Sequence, residues 1–271
     1  MAVTRRAVLK TLLAAGTGGL AGAGTYGYVW ARHDLVVTDA SVPVAGLPPA
    51  LAGLRVGLIT DVHRSRWVSH EDVARAVSAL TNQRPDLIVL GGDYVTWGDR
   101  QFVEASAYAL APLSAPHGVF GILGNHDDDH QMPAALAARG VQMLKDARTR
   151  LTIRGESLEL LGIRFWTKRG VDIASLAKGA TGTTILLAHD PRRLVEAAAL
   201  NIPLVLSGHT HGGQVVLPMV GAVAAQKFPV ASGLAYRDRT TMFVSRGVGT
   251  VYVPVRLNCP PEVAVLTLQP A

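Results

Sequence analysis

Seven side chains of this sequence have the types and spacing that hold hard divalent cations. They are Asp61 and His63 as D-x-H, Asp93 after Gly91-Gly92, Asn125 in Gly124-Asn125-His126-Asp127, a lone His189, and His209 and His211 as G-H-x-H. Ions that activate water need oxygen and imidazole donors with one coordination position left open, and a paired site needs a carboxylate able to bridge. Two Asp, one Asn and four His supply that set. Singly, each block has an ordinary reading, a hydrogen-bonded histidine or a Gly-rich turn; their ordered recurrence along one chain is what points to metal. Cys259 is the single cysteine, which excludes an intrachain disulfide and a thiolate cluster. No nucleophile elbow is present: Ser207-Gly208 leads into the G-H-x-H block, and Cys259 is followed by Pro260-Pro261. The chemistry expected is hydrolysis by activated water, without a covalent protein intermediate.

These residues need elements to carry them, and each sits at the end of a short apolar run. Arg55–Thr60 ends at Asp61, Asp86–Leu90 leads to Asp93, Val119–Leu123 to Asn125, Thr184–Leu187 to His189, and Leu204–Leu206 to His209. Continuous apolar runs mark strands buried on both faces, and in such sheets functional groups gather at the carboxyl ends. Ser69 with Asp72 forms a capping box that opens a helix to about Leu80, and a further helix is expected near Phe102 to Leu110. Alternating segments at Ser157–Ile163, Gln214–Leu217, Thr241–Val244 and Val263–Leu268 read as a second, more antiparallel sheet. The fold class expected is α/β, a four-layer α/β/β/α sandwich of two mixed sheets with the metal site at the carboxyl ends of the strands.

The 271 residues suit one large domain. The formal charge of +6 comes from 26 basic against 20 acidic residues, and Arg5, Arg6 and Lys10 account for three of the basic ones, leaving 23 against 20, or +3, beyond residue 30. So slight a surplus argues against a nucleic-acid partner. Thr4-Arg5-Arg6-Ala7-Val8-Leu9-Lys10 resembles a twin-arginine export signal, and no charge appears from Thr11 to Trp30. That stretch has about the length of a bilayer core of roughly 30 Å but is soft, rich in Gly and Ala. Two readings stand: a signal cleaved near Ala21-Gly22-Ala23, or an anchor retained in the membrane through residues 7–31, with Tyr26, Tyr28 and Trp30 at the interface. The division expected is 1–33 for signal or anchor and 34–271 for the catalytic domain. The chain is expected to be exported to the outer face of the cytoplasmic membrane, periplasm or wall, by the twin-arginine machinery, and to be a monomer.

With all five blocks in order over roughly residues 52–268, the sequence resembles the calcineurin-like metallophosphoesterase superfamily, in particular its bacterial branch of twin-arginine-exported phosphodiesterases. That branch ends in Gly208-His209-Thr210-His211-Gly212-Gly213-Gln214 and a segment here running from Arg256 to Pro260-Pro261-Glu262. The resemblance implies two divalent ions, Mn, Fe, Zn or Co, one held by Asp61, His63 and His211, the other by Asn125, His189 and His209, with Asp93 between them. It implies in-line attack on a phosphate ester by a metal-bridging hydroxide, with His126 stabilising the transition state or protonating the leaving oxygen. The expected substrate is a cell-envelope phosphodiester or pyrophosphate. The alternatives are a scavenging nucleotide phosphatase and a catalytically silent metal-binding scaffold.

Two departures stand out. Thr96 occupies the place of an Asp that orients the GNH histidine in many members, leaving the partner of His126 open. The middle strand runs into Ile163-Arg164-Phe165-Trp166-Thr167-Lys168-Arg169, either a substrate lip with Trp166 as its cover or a solvated basic loop. Arg64, with Arg66 and Trp67 after it, and Arg256 are the other candidate substrate contacts, and Asp127 is a candidate partner for a ligand histidine.

Overall fold

The computed structural model describes residues 5–271. Two six-stranded sheets stack face to face. The first contains β1 (Val36–Val44), β2 (Arg55–Ile59), β3 (Leu87–Leu90), β4 (Val119–Gly121), β5 (Gln142–Met143) and β12 (Glu262–Pro270), in the order β1-β12-β2-β3-β4-β5. The second contains β6 (Ala147–Ile153), β7 (Glu156–Gly162), β8 (Thr183–Leu187), β9 (Leu204–Ser207), β10 (Gly233–Arg237) and β11 (Thr240–Val244), in the order β10-β11-β9-β8-β7-β6. Both are mixed: β2 to β5 run parallel, β12 joins β2 antiparallel, and β6 and β10 flank the parallel strands β7, β8, β9 and β11 antiparallel.

Period-two alternation of apolar side chains sorts the strands into three cores. Leu87 and Val89 of β3 join Ile185, Leu187, Leu204 and Leu206 in the layer between the sheets. Ile88 and Leu90 face outward to α2 (His70–Thr81), α3 (Val103–Leu110) and α4 (Gln131–Ala137). Leu186 and Val205 of the other sheet face α5 (Gly170–Ala177) and α6 (Leu194–Ala199). Helices therefore cover both outer faces, and the α/β/β/α expectation holds.

Sheet membership differs from expectation. The runs before His189 and His209 lie in the second sheet, while Val263–Leu268 belongs to β12 in the first. Every strand bearing the site is covered on both faces, so an apolar run cannot tell which sheet receives it. Gln214–Leu217 makes only isolated bridges, Val215 with Leu257 and Leu217 with Gly221.

The capping box forms as expected: Ser69 Oγ accepts the Asp72 N–H at 3.1 Å and Asp72 Oδ2 accepts the Ser69 N–H at 2.9 Å. Before β1 stands α1 (Arg5–Val29), exposed along nearly all its described length. Thr4 of the arginine-pair motif lies outside the described residues. Among the described residues, it is the last turns of α1 that meet the domain: Gly27 O accepts the Arg256 N–H at 3.2 Å, and Tyr28 meets Trp67 edge-on with ring centroids 6.3 Å apart. Among the described residues, no helix is long and apolar enough to cross a membrane.

Candidate metal centre

Five of the expected ligands, Asp61, His63, Asp93, His209 and His211, have φ between 47° and 71°. Residues with a Cβ rarely adopt this left-handed region, and at strand ends it turns the side chain sharply across the sheet edge. Close packing of the loops makes the turns hold. A Cβ on Gly208 would overlap Asp61 Oδ2, and one on Gly124 would overlap Asp93 Oδ1, so neither position admits any other residue. Backbone bonds stitch the first two strand ends together: the Asp61 N–H donates to Gly92 O and the His63 N–H to Asp93 O, both at 2.9 Å.

The ends of both sheets thus converge on one point. Asp61, His63 and His211 form one group able to hold a metal ion, and Asp93, His189 and His209 a second. Asp93 Oδ2 lies 3.1 Å from His189 Nε2 and 3.5 Å from His63 Nε2, between the two groups. Asn125 Oδ1 is buried without a hydrogen-bond partner and lines the same pocket, of about 130 Å³, as Asp93, His126, His209 and His211. Two further contacts fit cations. His189 Nδ1 lies 2.7 Å from Gly91 O, which places its proton there and leaves the Nε2 lone pair aimed at the Asp93 carboxylate. His63 Nε2 and His211 Nε2 likewise face each other at 3.1 Å. A proton can hold either contact, but buried donor atoms converging in two groups beside the unpartnered Asn125 Oδ1 also make cradles for positive charge, so the residues present fit a pair of bound ions.

The electrostatics carry the same imprint. Burial opposes charging of His189, but Asp93 and Asp61 outweigh it and raise the imidazole to about 10, so a proton stands in for a metal's charge. Burial pushes Asp61 up to about 6, opposed by His189. His63 and His209 are lowered to about 3, mainly by burial, and so hold the neutral form a ligand needs.

His126 is oriented by the backbone. The Trp97 N–H donates to its Nδ1 at 3.0 Å, so the ring carries its proton on Nε2. Thr96 instead meets His63, its Oγ1 lying 3.1 Å from Nδ1. Asp127 serves neither ring. Its carboxylate accepts N–H bonds from Asp93 at 2.8 Å, Tyr94 at 2.7 Å and Gly124 at 2.8 Å, tying together the loops that carry Asp93 and Asn125.

The expected substrate contacts fare differently. Arg256 is fully buried, and its guanidinium donates to the carbonyls of Arg246, Gly247, Gly249 and Cys259 at 2.6–3.2 Å. It cannot meet substrate; it braces the loop whose Gly249 N–H bonds Asp61 O at 2.7 Å, directly behind the first ligands. Arg64 is turned back onto the carbonyls of Ser65 and Val68 and over the Phe102 ring. In the basic loop, Arg164 pairs with Asp146 and Asp129, and Arg169 with Asp172. Trp166 is 65% exposed, and its neighbour Phe165 takes the inner position, 5.3 Å from the His209 ring and 6.1 Å from His189. Phe228 closes the other side of His209 at 5.2 Å. Phe165 stood in the singled-out loop one residue from Trp166; Phe228, Trp97 and Tyr252 carry no sequence signal, because contact across distant loops makes them part of the site.

Residues 54–213 match the family model of the calcineurin-like phosphoesterases. The chain is 28% identical over 280 residues to the uncharacterized metallophosphoesterase YkuE of Bacillus subtilis (strain 168), with 98% of each chain covered. It is 33% identical over 227 residues to the phosphodiesterase YaeI of Escherichia coli (strain K12), covering 80% of this chain and 83% of that one. Among solved structures it resembles in fold the NAD nucleotidase NadN of Haemophilus influenzae, with a TM-score of 0.52 and 15% identity over 72% of this chain and 45% of that one.

Proposed function

The chain belongs to the calcineurin-like phosphoesterase family, and from that premise we propose that it is a two-metal phosphodiesterase acting on a cell-envelope phosphate ester. The observation that carries this reading is the meeting of two ligand groups at one carboxylate, Asp93, beside a histidine that is not needed as a ligand. Asp61, His63 and His211 would hold one divalent ion, Asn125, His189 and His209 the other, and Asp93 both; the donor set suits Mn, Fe, Zn or Co. Bound there, such ions supply a water acidified toward neutrality and positive charge against the phosphoryl oxygens.

The protein's own groups do the rest. Left-handed backbone at the strand ends fixes the ligands before substrate arrives, and Asp127 holds the two central loops together. Phe165 and Phe228 pack against the His209 ring and help to hold it half-buried. His126 presents Nε2–H to the pocket as a hydrogen-bond donor to the reacting phosphate. The presence of every ligand and of His126 weighs against a catalytically silent scaffold.

Residues 1–33 would act as export signal or membrane anchor, with residues 34–271 working as a monomer on the outer side of the cytoplasmic membrane. The relative YaeI is named a phosphodiesterase, which supports the preference for diesters. Turnover of bis-p-nitrophenyl phosphate against p-nitrophenyl phosphate by metal-reconstituted protein tests the reading. The diester is expected to be preferred at least about tenfold, and inactivity on both esters with two ions bound would overturn it.

A further inference from the structure

Beside the metal pocket opens a larger cleft, of about 710 Å³, between the Ser65–Trp67 and Thr96–Phe102 segments and the Thr250–Pro254 loop. The two spaces adjoin, with Val251 and Tyr252 in the walls of both. Trp97 and Tyr252 stand where they join, their rings 4.5 Å and 6.5 Å from His126. A substituent of an ester with phosphorus near His126 can pass those two rings into this cleft.

The lining states what that substituent is. Trp67, Trp97, Phe102, Tyr252, Val253 and Pro254 form about half of it, beside the polar Ser65, Thr96, Gln101 and Thr250, and Trp97, Val253 and Tyr252 are 67%, 59% and 75% exposed. Large apolar side chains clustered in the open at a catalytic mouth mark a surface meant to be covered. Among the described residues the lining has one cation, Arg66, stacked on Trp67 at 4.7 Å, and one carboxylate, Asp99, already bonded by Gln101 Nε2 at 2.8 Å. A polyphosphate would meet a single cation there. A nucleobase would lack a slot, because the Trp97 and Tyr252 rings meet at 67° rather than in parallel.

The same loop is the root of α1. Gly27 packs against Val255 and Arg256 so closely that a Cβ would sit 2.7 Å from Val255 Cγ1, and Arg32 Nη1 donates to the Trp67 carbonyl at 2.7 Å. From that root α1 leaves the domain with open space beside Gly16, Gly18, Gly19, Gly22 and Gly24. It has no charge between Thr11 and Trp30, and it carries Tyr26 and Trp30 exposed at 51% and 60% near the domain. With aromatics beside the domain, an uncharged Gly- and Ala-rich middle and Arg5, Arg6 and Lys10 at the far end, α1 has the composition of a membrane-associated segment, since aromatic rings and cations sit among headgroups.

We infer that the substrate is a lipid phosphodiester, its apolar chain lying in the cleft of Trp67, Trp97 and Tyr252 and reaching the site from a membrane on which α1 rests. This deepens the phosphodiesterase reading and rests on it. The test uses full-length, metal-loaded protein and p-nitrophenyl phosphodiesters carrying methyl, butyl or octyl groups below micelle formation, together with the p-nitrophenyl ester of thymidine 5′-monophosphate. Burial of a methylene is worth about 0.8 kcal/mol, about fourfold in kcat/KM, so three buried methylenes already give about sixtyfold from methyl to octyl. The octyl-to-methyl ratio is expected to collapse in Val253→Asp and in Trp67→Ser. Because it is a ratio within one variant, partial unfolding does not alter it. The hexadecyl ester held in phosphatidylglycerol vesicles is expected to be hydrolysed as well. Hydrolysis of the methyl ester with no dependence on chain length, preference for the thymidine ester, or no hydrolysis of the vesicle-held ester would overturn the inference and leave the phosphodiesterase reading standing. Failure on all esters would remove that reading instead.

Discussion

Replacing His126 by alanine separates two roles that a histidine beside a phosphoryl group can play. A general acid must carry the extra proton, but here Nδ1 accepts the Trp97 N–H at 3.0 Å, and protonation would set one N–H against another. Burial, opposed by Asp93, also holds the ring below its ordinary range. His126 is therefore expected to work as a neutral donor through Nε2–H. One preorganised donor to developing charge is worth about 2.7–4 kcal/mol, or about 10²–10³ in kcat. Proton donation gives a similar total, about 10²–10⁴, but its share grows with the basicity of the leaving oxygen. The assay is kcat for methyl phosphodiesters of phenols from p-nitrophenol to phenol, for wild type and His126→Ala, with metal content measured in both. The two plots of log kcat against leaving-group basicity are expected to be parallel and offset by about 10²–10³, with His126→Gln, which restores a donor, lying between them. An offset that widens tenfold or more toward phenol would refute the neutral-donor assignment.

Metal loading at pH 7–9 is expected to release about one proton per chain, because His189, raised to about 10 by Asp93 and Asp61 against burial, must give up its proton to coordinate. Apparent affinity then rises about tenfold per pH unit across that range, and calorimetry in buffers of different ionisation heat, showing no proton released, would contradict it. Asp93→Asn is expected to lower metal content below two ions per chain and remove most activity while far-ultraviolet circular dichroism stays native, since Asp93 lies between both ligand groups rather than in a core. Arg256→Met leaves four carbonyls without their donor and is expected to cost at least about 3 kcal/mol by urea unfolding, at about 1–3 kcal/mol per buried unpaired group; a loss under about 1 kcal/mol would mean that the loop relaxes around it. Arg5→Lys with Arg6→Lys is expected to leave active, metal-filled enzyme inside the cell, which fractionation with an activity assay reads directly.

The seven candidate ligands, their order and their placement at strand ends were legible in the sequence, and the structure gathers six of them into two groups, because a metal site restricts residue identity and a sheet gathers such residues at one edge. The capping box at Ser69 and Asp72 was legible for the same kind of reason: both its bonds lie within one turn of chain. Tertiary structure alone decided which sheet receives β8, β9 and β12, since strands covered on both faces look alike whichever sheet they enter. It also turned Arg256 from a substrate contact into a buried brace, and gave His126 a backbone N–H where side-chain reasoning looked for a carboxylate. Backbone donors leave no trace in residue identity. Nor does the cleft that joins Trp67, a candidate contact in the sequence, to Trp97 and Tyr252 from loops far apart in the chain. An exposed aromatic acquires meaning only when folding sets it beside another.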